Sequence, residues 1–429
     1  MKKCIIIGGG IAGLTAASYL VNNGIKVTIL ESSPKAGGRA YSFKLPEKED
    51  TIDNGQHILM GCYKDTLAFL KMIGAKKNFI FQKRLGVNFI NSNQEKLSLK
   101  SAPLPYPLNL LIGFLRYNAL SGSERLSVIR FMLKLPFTPE RKLQNLTVSD
   151  WLIRENQSEK VIKSFWELIA IGALNTNLDK ASALMFKNIL MKMFYNGNKA
   201  STIINPKYGL TECYVNNATG YIKKFDGEVH LSERVEKLVI ENQKVASVKT
   251  IKNNYTEFDA VILAVQPYAA DKLLEPELLT GETQFSYSSI LNVHLWLKEN
   301  PFTERFYGLL NSPVHWIFNK GSHINLVISD ADYLMEKTES EIKSLCLVEL
   351  EKYCNINQDE IIDYKIIKEK RATIIPSNKI LYSRPSAKTK IDNLFLAGDW
   401  TDTGLPSTIE SAAKSGRVAA ELMLNNIHL

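Results

Sequence analysis

The sequence predicts an α/β fold in which a parallel-sheet nucleotide domain, discontinuous along the chain, is joined to an α+β domain. Two observations predict it. A short apolar run, Cys4 to Ile7, opens into glycines at 8, 10 and 13 and then into a helix-forming stretch. Far downstream, a second apolar run, Ile391 to Ala397, ends in Gly398-Asp399, and a small-residue helix follows from Thr408 to Leu422. Unbroken apolar runs of this length suit strands covered on both faces, as in parallel sheets. The 429 residues suffice for two or three domains, and 45% apolar with 23% charged residues is ordinary globular composition.

Composition also narrows the function. The net charge is +9, but the basic residues are scattered and no zinc spacing or basic-aromatic module accompanies them, which argues against nucleic acid. A basic surface suits an anionic membrane equally well. Five separated cysteines with no C-x-x-C pair predict neither a disulfide framework nor a metal site. The opening MKK and its apolar run are too short for a secretory signal. No stretch reaches the roughly 20 apolar residues of a spanning helix. A cytoplasmic protein is expected.

The N-terminal strand, glycine turn and helix are followed by a second strand, Lys26 to Leu30, which ends at Glu31. This context makes G-x-G-x-x-G a Rossmann-like dinucleotide signature. Gly8 permits the turn, Gly10 admits a pyrophosphate, and Gly13 lets helix and strand approach. The helix start at Ile11 and Ala12 offers N–H groups and a positive dipole end. Glu31 is placed to accept both ribose hydroxyls. The motif does not itself separate NAD from FAD. Ser33 to Ala40, SPKAGGRA, then brings Gly38 and Arg39 back toward the cofactor, and Asp53-Asn54-Gly55-Gln56-His57 forms another polar loop.

With these residues in hand, the chain resembles the flavin amine oxidase and phytoene desaturase superfamily. Within it, DNGQHILMGCY and GDWTDTGLPSTIESA are most similar to the squalene-associated FAD-dependent desaturases, also called hydroxysqualene dehydroxylases. The resemblance implies a glutathione-reductase-like FAD domain. It also implies Asp399 on the flavin ribityl chain, the helix start at Thr408 and Ile409 under the flavin pyrimidine edge, and the backbone of Val235 near the adenine. No cysteine lies between Asp399 and Gly416, so the FAD is expected to be non-covalent. The implied substrate is a long isoprenoid, and squalene-synthase-like enzymes are the implied partners. Reductive dehydroxylation of hydroxysqualene needs an acid at the leaving oxygen. His57, Asp53 and Asp402 are the candidates. Polyene desaturation, amine oxidation and a non-catalytic membrane-peripheral flavoprotein are the competing readings.

The two signatures divide the chain into an FAD-binding domain of 1–80, 206–266 and 389–429 and a substrate domain of 81–205 and 267–388. In the middle FAD piece, strands are expected at Val229 to Leu231, Val235 to Ile240, Val245 to Ile251 and Phe258 to Val265. The substrate pieces predict helices after a strand at Val87 to Phe89. They also predict strands at Ile290 to Lys298, Ile324 to Ile328 and Ile362 to Ala372, with a helix near Glu339 to Lys352. Pro103 to Phe137 is densely apolar, with Arg116, Arg125, Arg130 and Lys134 against one acid, Glu124. It reads either as an interfacial segment at the inner face of a membrane or as core helices with snorkelling cations.

Overall fold

A computed structural model describes residues 1–48 and 50–427. Its central element is a five-stranded, all-parallel sheet in the order Glu228–His230, Lys26–Leu30, Lys3–Ile7, Ala260–Leu263, Leu394–Leu396. Strands from the start, middle and end of the chain thus lie side by side. The apolar runs of the three strands Lys3–Ile7, Ala260–Leu263 and Leu394–Leu396 are nearly unbroken because each face has its own cover. Cys4, Ile6, Val27, Ile29, Ile262 and Phe395 point to a layer containing the helices Ile11–Asn22, Asn216–Lys224 and Ile409–Ile427. Ile5, Ile7, Leu30, Val261, Leu263, Leu394 and Leu396 point the other way, toward Leu238, Val245 and Val248 of the three-stranded sheet formed by Val235–Glu241, Lys244–Thr250 and Asn254–Tyr255.

The helix layer is unusually close-packed. A Cβ on Gly13 would lie 2.0 Å from the Gly8 carbonyl oxygen, and one on Gly416 would lie 2.2 Å from the Ala12 carbonyl oxygen. The expected strand from Ile391 to Ala397 is shorter, Leu394–Leu396, because the Ile391 N–H bonds the Thr389 hydroxyl and the Ile391 carbonyl closes a turn with Leu394. The helix after it runs beyond Leu422, to Ile427.

The second sheet has seven strands, in the order Ile361–Ile374, Tyr287–Leu297, Ile324–Ser329, Trp316–Asn319, Phe306–Leu309, Gly86–Ile90, Lys96–Lys100. All neighbours are antiparallel except Phe306–Leu309 with Gly86–Ile90. Phe306–Leu309, Trp316–Asn319 and Lys96–Lys100 were not expected from sequence; at four or five residues they are too short to display a period. One face of this sheet carries the helix Glu339–Cys354. Part of the other face is covered by helices between residues 108 and 194. A small sheet of Leu59–Met60, Ile203–Pro206 and Phe79–Phe81 lies where the chain passes between the two regions. The divisions drawn at 80/81 and 205/206 both fall inside it.

Pro103 to Phe137 forms two helices, Leu108–Leu115 and Gly122–Lys134. Their inner face, with Phe114, Tyr117, Val128 and Phe131, is core. Their outer face exposes Leu104, Leu108, Leu111, Leu115, Leu126, Leu133 and Phe137. The core reading therefore holds for the inner face, while the outer face leaves apolar side chains exposed. No described helix is long and apolar enough to cross a membrane.

Because Gly416 seats the C-terminal helix against the first one, Gly416→Val forces the two apart. It is expected to lower stability by about 1–3 kcal/mol, the usual range for overpacking, read as a lower urea midpoint at unchanged slope. An unchanged midpoint would mean that the helices do not approach this closely.

Candidate active site

The first helix begins at Gly10 with no side-chain cap and no acid in its first turn, so its leading N–H groups keep their capacity for an anion. Beside it the Glu31 carboxylate, almost fully buried, accepts the N–H groups of Gly9 at 2.6 Å and Ser33 at 2.7 Å. The backbone of Glu31 bonds His230 and Glu233, which brings the start of the strand at Val235 to this edge of the sheet. The second glycine pair folds over the first. Gly37 N–H donates to the Gly9 carbonyl, and a Cβ on Gly38 would lie 3.0 Å from the Gly10 Cα.

Arg39 links this loop to the far end of the chain. Its guanidinium meets the buried Asp399 carboxylate at 2.5 Å and donates to the Ala372 carbonyl at 2.8 Å. Ser407 donates to the other Asp399 oxygen. Burial alone would push the Asp399 carboxyl up, but Arg39, Ser407 and the nearby Arg384 together hold it below the ordinary carboxylate range. The C-terminal helix starts close by: the Thr408 hydroxyl accepts the Ser411 N–H and so caps it. Ile409, Ile11 and His57 line one narrow cavity together with Phe69 and Tyr214. The glycine motif, the DNGQH loop and the C-terminal motif thus converge on one place.

Of the three catalytic candidates, His57 lines this cavity, whereas Asp53 and Asp402 are not in its lining. Asp53 is buried and accepts from the Ser42 hydroxyl at 2.7 Å, the Leu210 N–H at 2.9 Å and the Lys320 ammonium at 3.0 Å. Its oxygens are engaged in holding three segments together. Asp402 is exposed, and its backbone N–H donates to the Pro385 carbonyl. His57 lines the cavity, where burial lowers its pKa while the nearby Asp53 opposes that shift. The Gln56 side-chain oxygen is buried next to it with no partner.

Several polar residues escaped the sequence reading. Glu410 turns back from the C-terminal helix and accepts from the N–H groups of Asp65 and Thr66 and from the Thr66 hydroxyl, capping the helix Lys64–Met72. On the seven-stranded sheet Asn292, His294 and Asn325 are buried, as is His323 in the loop just before Ile324–Ser329. His294 bonds His323 at 3.1 Å, and desolvation takes the two imidazoles down to about 3 and about 4. In sequence Asn292, His294 and Asn325 sit inside apolar strands and His323 just ahead of one, with no motif to mark them. Among the described residues there is no cluster of three metal-ligating side chains.

Residues 11–424 match the family described as flavin containing amine oxidoreductase. The chain is 29% identical over 431 residues to hydroxysqualene dehydroxylase of Zymomonas mobilis, covering 99% of this chain and 100% of that one. It is 28% identical to hydroxysqualene dehydroxylase of Rhodopseudomonas palustris, with 99% of each covered. It is 24% identical to 15-cis-phytoene desaturase of Arabidopsis thaliana, covering 100% of this chain and 81% of the relative. A crystal structure of an oxidoreductase from Methanosarcina mazei superposes with a TM-score of 0.77 at 17% identity, covering 98% of this chain and 100% of that one.

The residues present fit the FAD that this family implies. An uncapped helix start and Arg39 suit a pyrophosphate, Glu31 a ribose, and Asp399 a polyol chain, while the unpartnered Gln56 oxygen awaits a donor. Glu31→Ala is expected to weaken FAD binding by about 1–3 kcal/mol, the size of hydrogen bonds lost to a charged group at a buried site. Quenching of flavin fluorescence on titration into apoprotein measures it. An unchanged Kd would remove Glu31 from the cofactor site.

Proposed function

The chain belongs to the flavin containing amine oxidoreductase family, and from that premise we propose that it reductively removes the hydroxyl of hydroxysqualene to give squalene, with non-covalent FAD. The supporting observation is the end-to-end likeness to proteins bearing the name hydroxysqualene dehydroxylase. The FAD-binding domain in this reading comprises 1–80, 206–266 and 389–429, and 81–205 with 267–388 form the substrate domain. Gly8, Gly10, Ile11, Ala12, Gly13, Glu31, Gly38, Arg39, Gln56, His57, Val235, Gly398, Asp399, Thr408 and Ile409 bind the cofactor.

When bound and reduced, the flavin supplies hydride to an allylic carbon. The chain's own part is to hold the alcohol beside it, keep water out and receive the leaving oxygen. His57, at the cavity, serves as a hydrogen-bonding wall beside the alcohol. Asp53 holds the loop that carries it. The apolar wall of the cavity beside His57, with Leu59, Phe69, Leu70, Phe79 and Tyr214, gives an isoprenoid its apolar surroundings.

The phytoene desaturase likeness favours a second reading, in which hydride leaves a polyene for oxidised FAD. Product analysis separates the two. Reduced holoprotein given hydroxysqualene anaerobically is expected to form squalene while its flavin reoxidises. Double bonds appearing in a polyene, with hydroxysqualene untouched, would establish the desaturase instead.

The outward leucines of Leu108–Leu115 and Gly122–Lys134, flanked by exposed Arg116, Arg130 and Lys134, suit a peripheral contact with an anionic lipid surface, where squalene-synthase-like enzymes would deliver the alcohol. Co-sedimentation with vesicles is expected to rise with phosphatidylserine content and to fall with salt. Replacing Leu108, Leu111 and Leu133 with serine should abolish it, and undiminished binding would rule this face out.

A further inference from the structure

The face of the seven-stranded sheet that looks toward the DNGQH loop changes character along its length. Leu291, Val293 and Leu295, with Ile324, Leu326 and Ile328, point away from the loop to the Glu339–Cys354 side. The alternate residues point back. At one end these are Ile290, Trp316, Phe318 and Val327, in the apolar cluster shared with the helical layer. Next to them come Asn292 and Asn325, both with no exposed surface.

The two amides are paired in one direction only. Asn325 Nδ2 donates to Asn292 Oδ1 at 3.1 Å, and Asn292 Nδ2 reaches the Asn54 carbonyl at a long 3.5 Å. Among the described residues Asn325 Oδ1 has no hydrogen-bond partner, and the residues opposite it on the flanking strands are Phe318 and His294, whose Nε2 is likewise unpartnered. Asn292 Nδ2 also lies 3.8 Å from where a Gly55 Cβ would stand, and His57 Nε2 lies 3.7 Å from the same point. A buried amide oxygen left without a donor is costly.

We infer that Asn292 and Asn325 form the seat for the substrate's single hydroxyl, Asn325 Oδ1 accepting its O–H and the weakly engaged Asn292 Nδ2 donating to its oxygen. One acceptor next to one donor, with no charge of their own, matches an alcohol. A hydrocarbon would leave the acceptor unsatisfied, and the neutral pair offers an ammonium group no counter-charge. The inference rests on the alcohol substrate proposed above and adds the residues that select it.

The test is binding without turnover. Oxidised holoprotein is titrated in detergent with hydroxysqualene and with squalene, followed by the change in flavin absorbance. The wild type is expected to prefer the alcohol by about tenfold or more, a lost buried hydrogen bond being worth that much. Asn325→Leu and Asn292→Leu should bring the ratio near one by weakening only the alcohol. The double leucine variant should melt no lower than the wild type, since two apolar groups of similar shape replace an incompletely bonded pair. An undiminished preference in the leucine variants, or equal weakening of both ligands, overturns the seat. A wild type that prefers and converts the alcohol while the variants keep its preference refutes the seat alone. A wild type that yields no squalene refutes the proposed reaction, and the seat is then upheld or refuted by the same ratio measured with farnesol against farnesene.

Discussion

The arrangement depends on one buried carboxylate. Asp53 ends the short strand Thr51–Asp53 and accepts from Ser42 in the adjacent strand, from the backbone of Leu210 and from Lys320 on a loop of the seven-stranded sheet. Two neutral donors and one cation, from three separate stretches of chain, converge on its two oxygens. At 1% exposure such a charge is tolerable only when fully paired, so each partner is needed to justify the others. The loop carrying Gln56 and His57 begins at the next residue. Its position relative to both sheets is thereby set by electrostatics as well as by packing.

A second buried ion pair does similar work at greater chain separation. Arg39 and Asp399 stand 360 positions apart and join the second glycine loop to the last strand. Asp399 has Ser407 as a further donor and Arg384 nearby, whose Nη1 bonds the Leu405 carbonyl. The carboxylate is therefore over-provided with positive charge. An arriving phosphate can share Arg39 without leaving Asp399 uncompensated.

Much of the nucleotide-binding region was legible in the sequence because its requirements are local. Gly13 reads as close approach, and the Gly8 carbonyl is indeed where a side chain would strike. Lys26–Leu30 was read at its observed limits, since its buried Val27, Ile29 and Leu30 lead straight into the acid at Glu31. The site was legible only where a motif repeats a backbone geometry. Asp53 was read as an acid because its partners at 210 and 320 are invisible from position 53. Asn292 and Asn325 were missed for the opposite reason: each is a lone polar residue inside an apolar strand, and its meaning arises only when β-pairing places the two side by side. The short strands Phe306–Leu309 and Trp316–Asn319 were missed because they owe their existence to neighbours in the sheet rather than to any periodicity of their own.

The parallel sheet also dictates an order of events during synthesis. Its centre, Lys3–Ile7, is made first, whereas its edge strand Leu394–Leu396 and the helix Ile409–Ile427 that closes over Ile11–Asn22 are made last. Until then the first helix lacks the partner that Gly416 brings against Ala12, and Arg39 has no Asp399 to meet. The opening glycine motif therefore leaves the ribosome long before it can be completed. A nascent chain stopped short of residue 394 has neither the edge strand of the parallel sheet nor the carboxylate that Arg39 meets, although it already carries most of the residues that these two elements join.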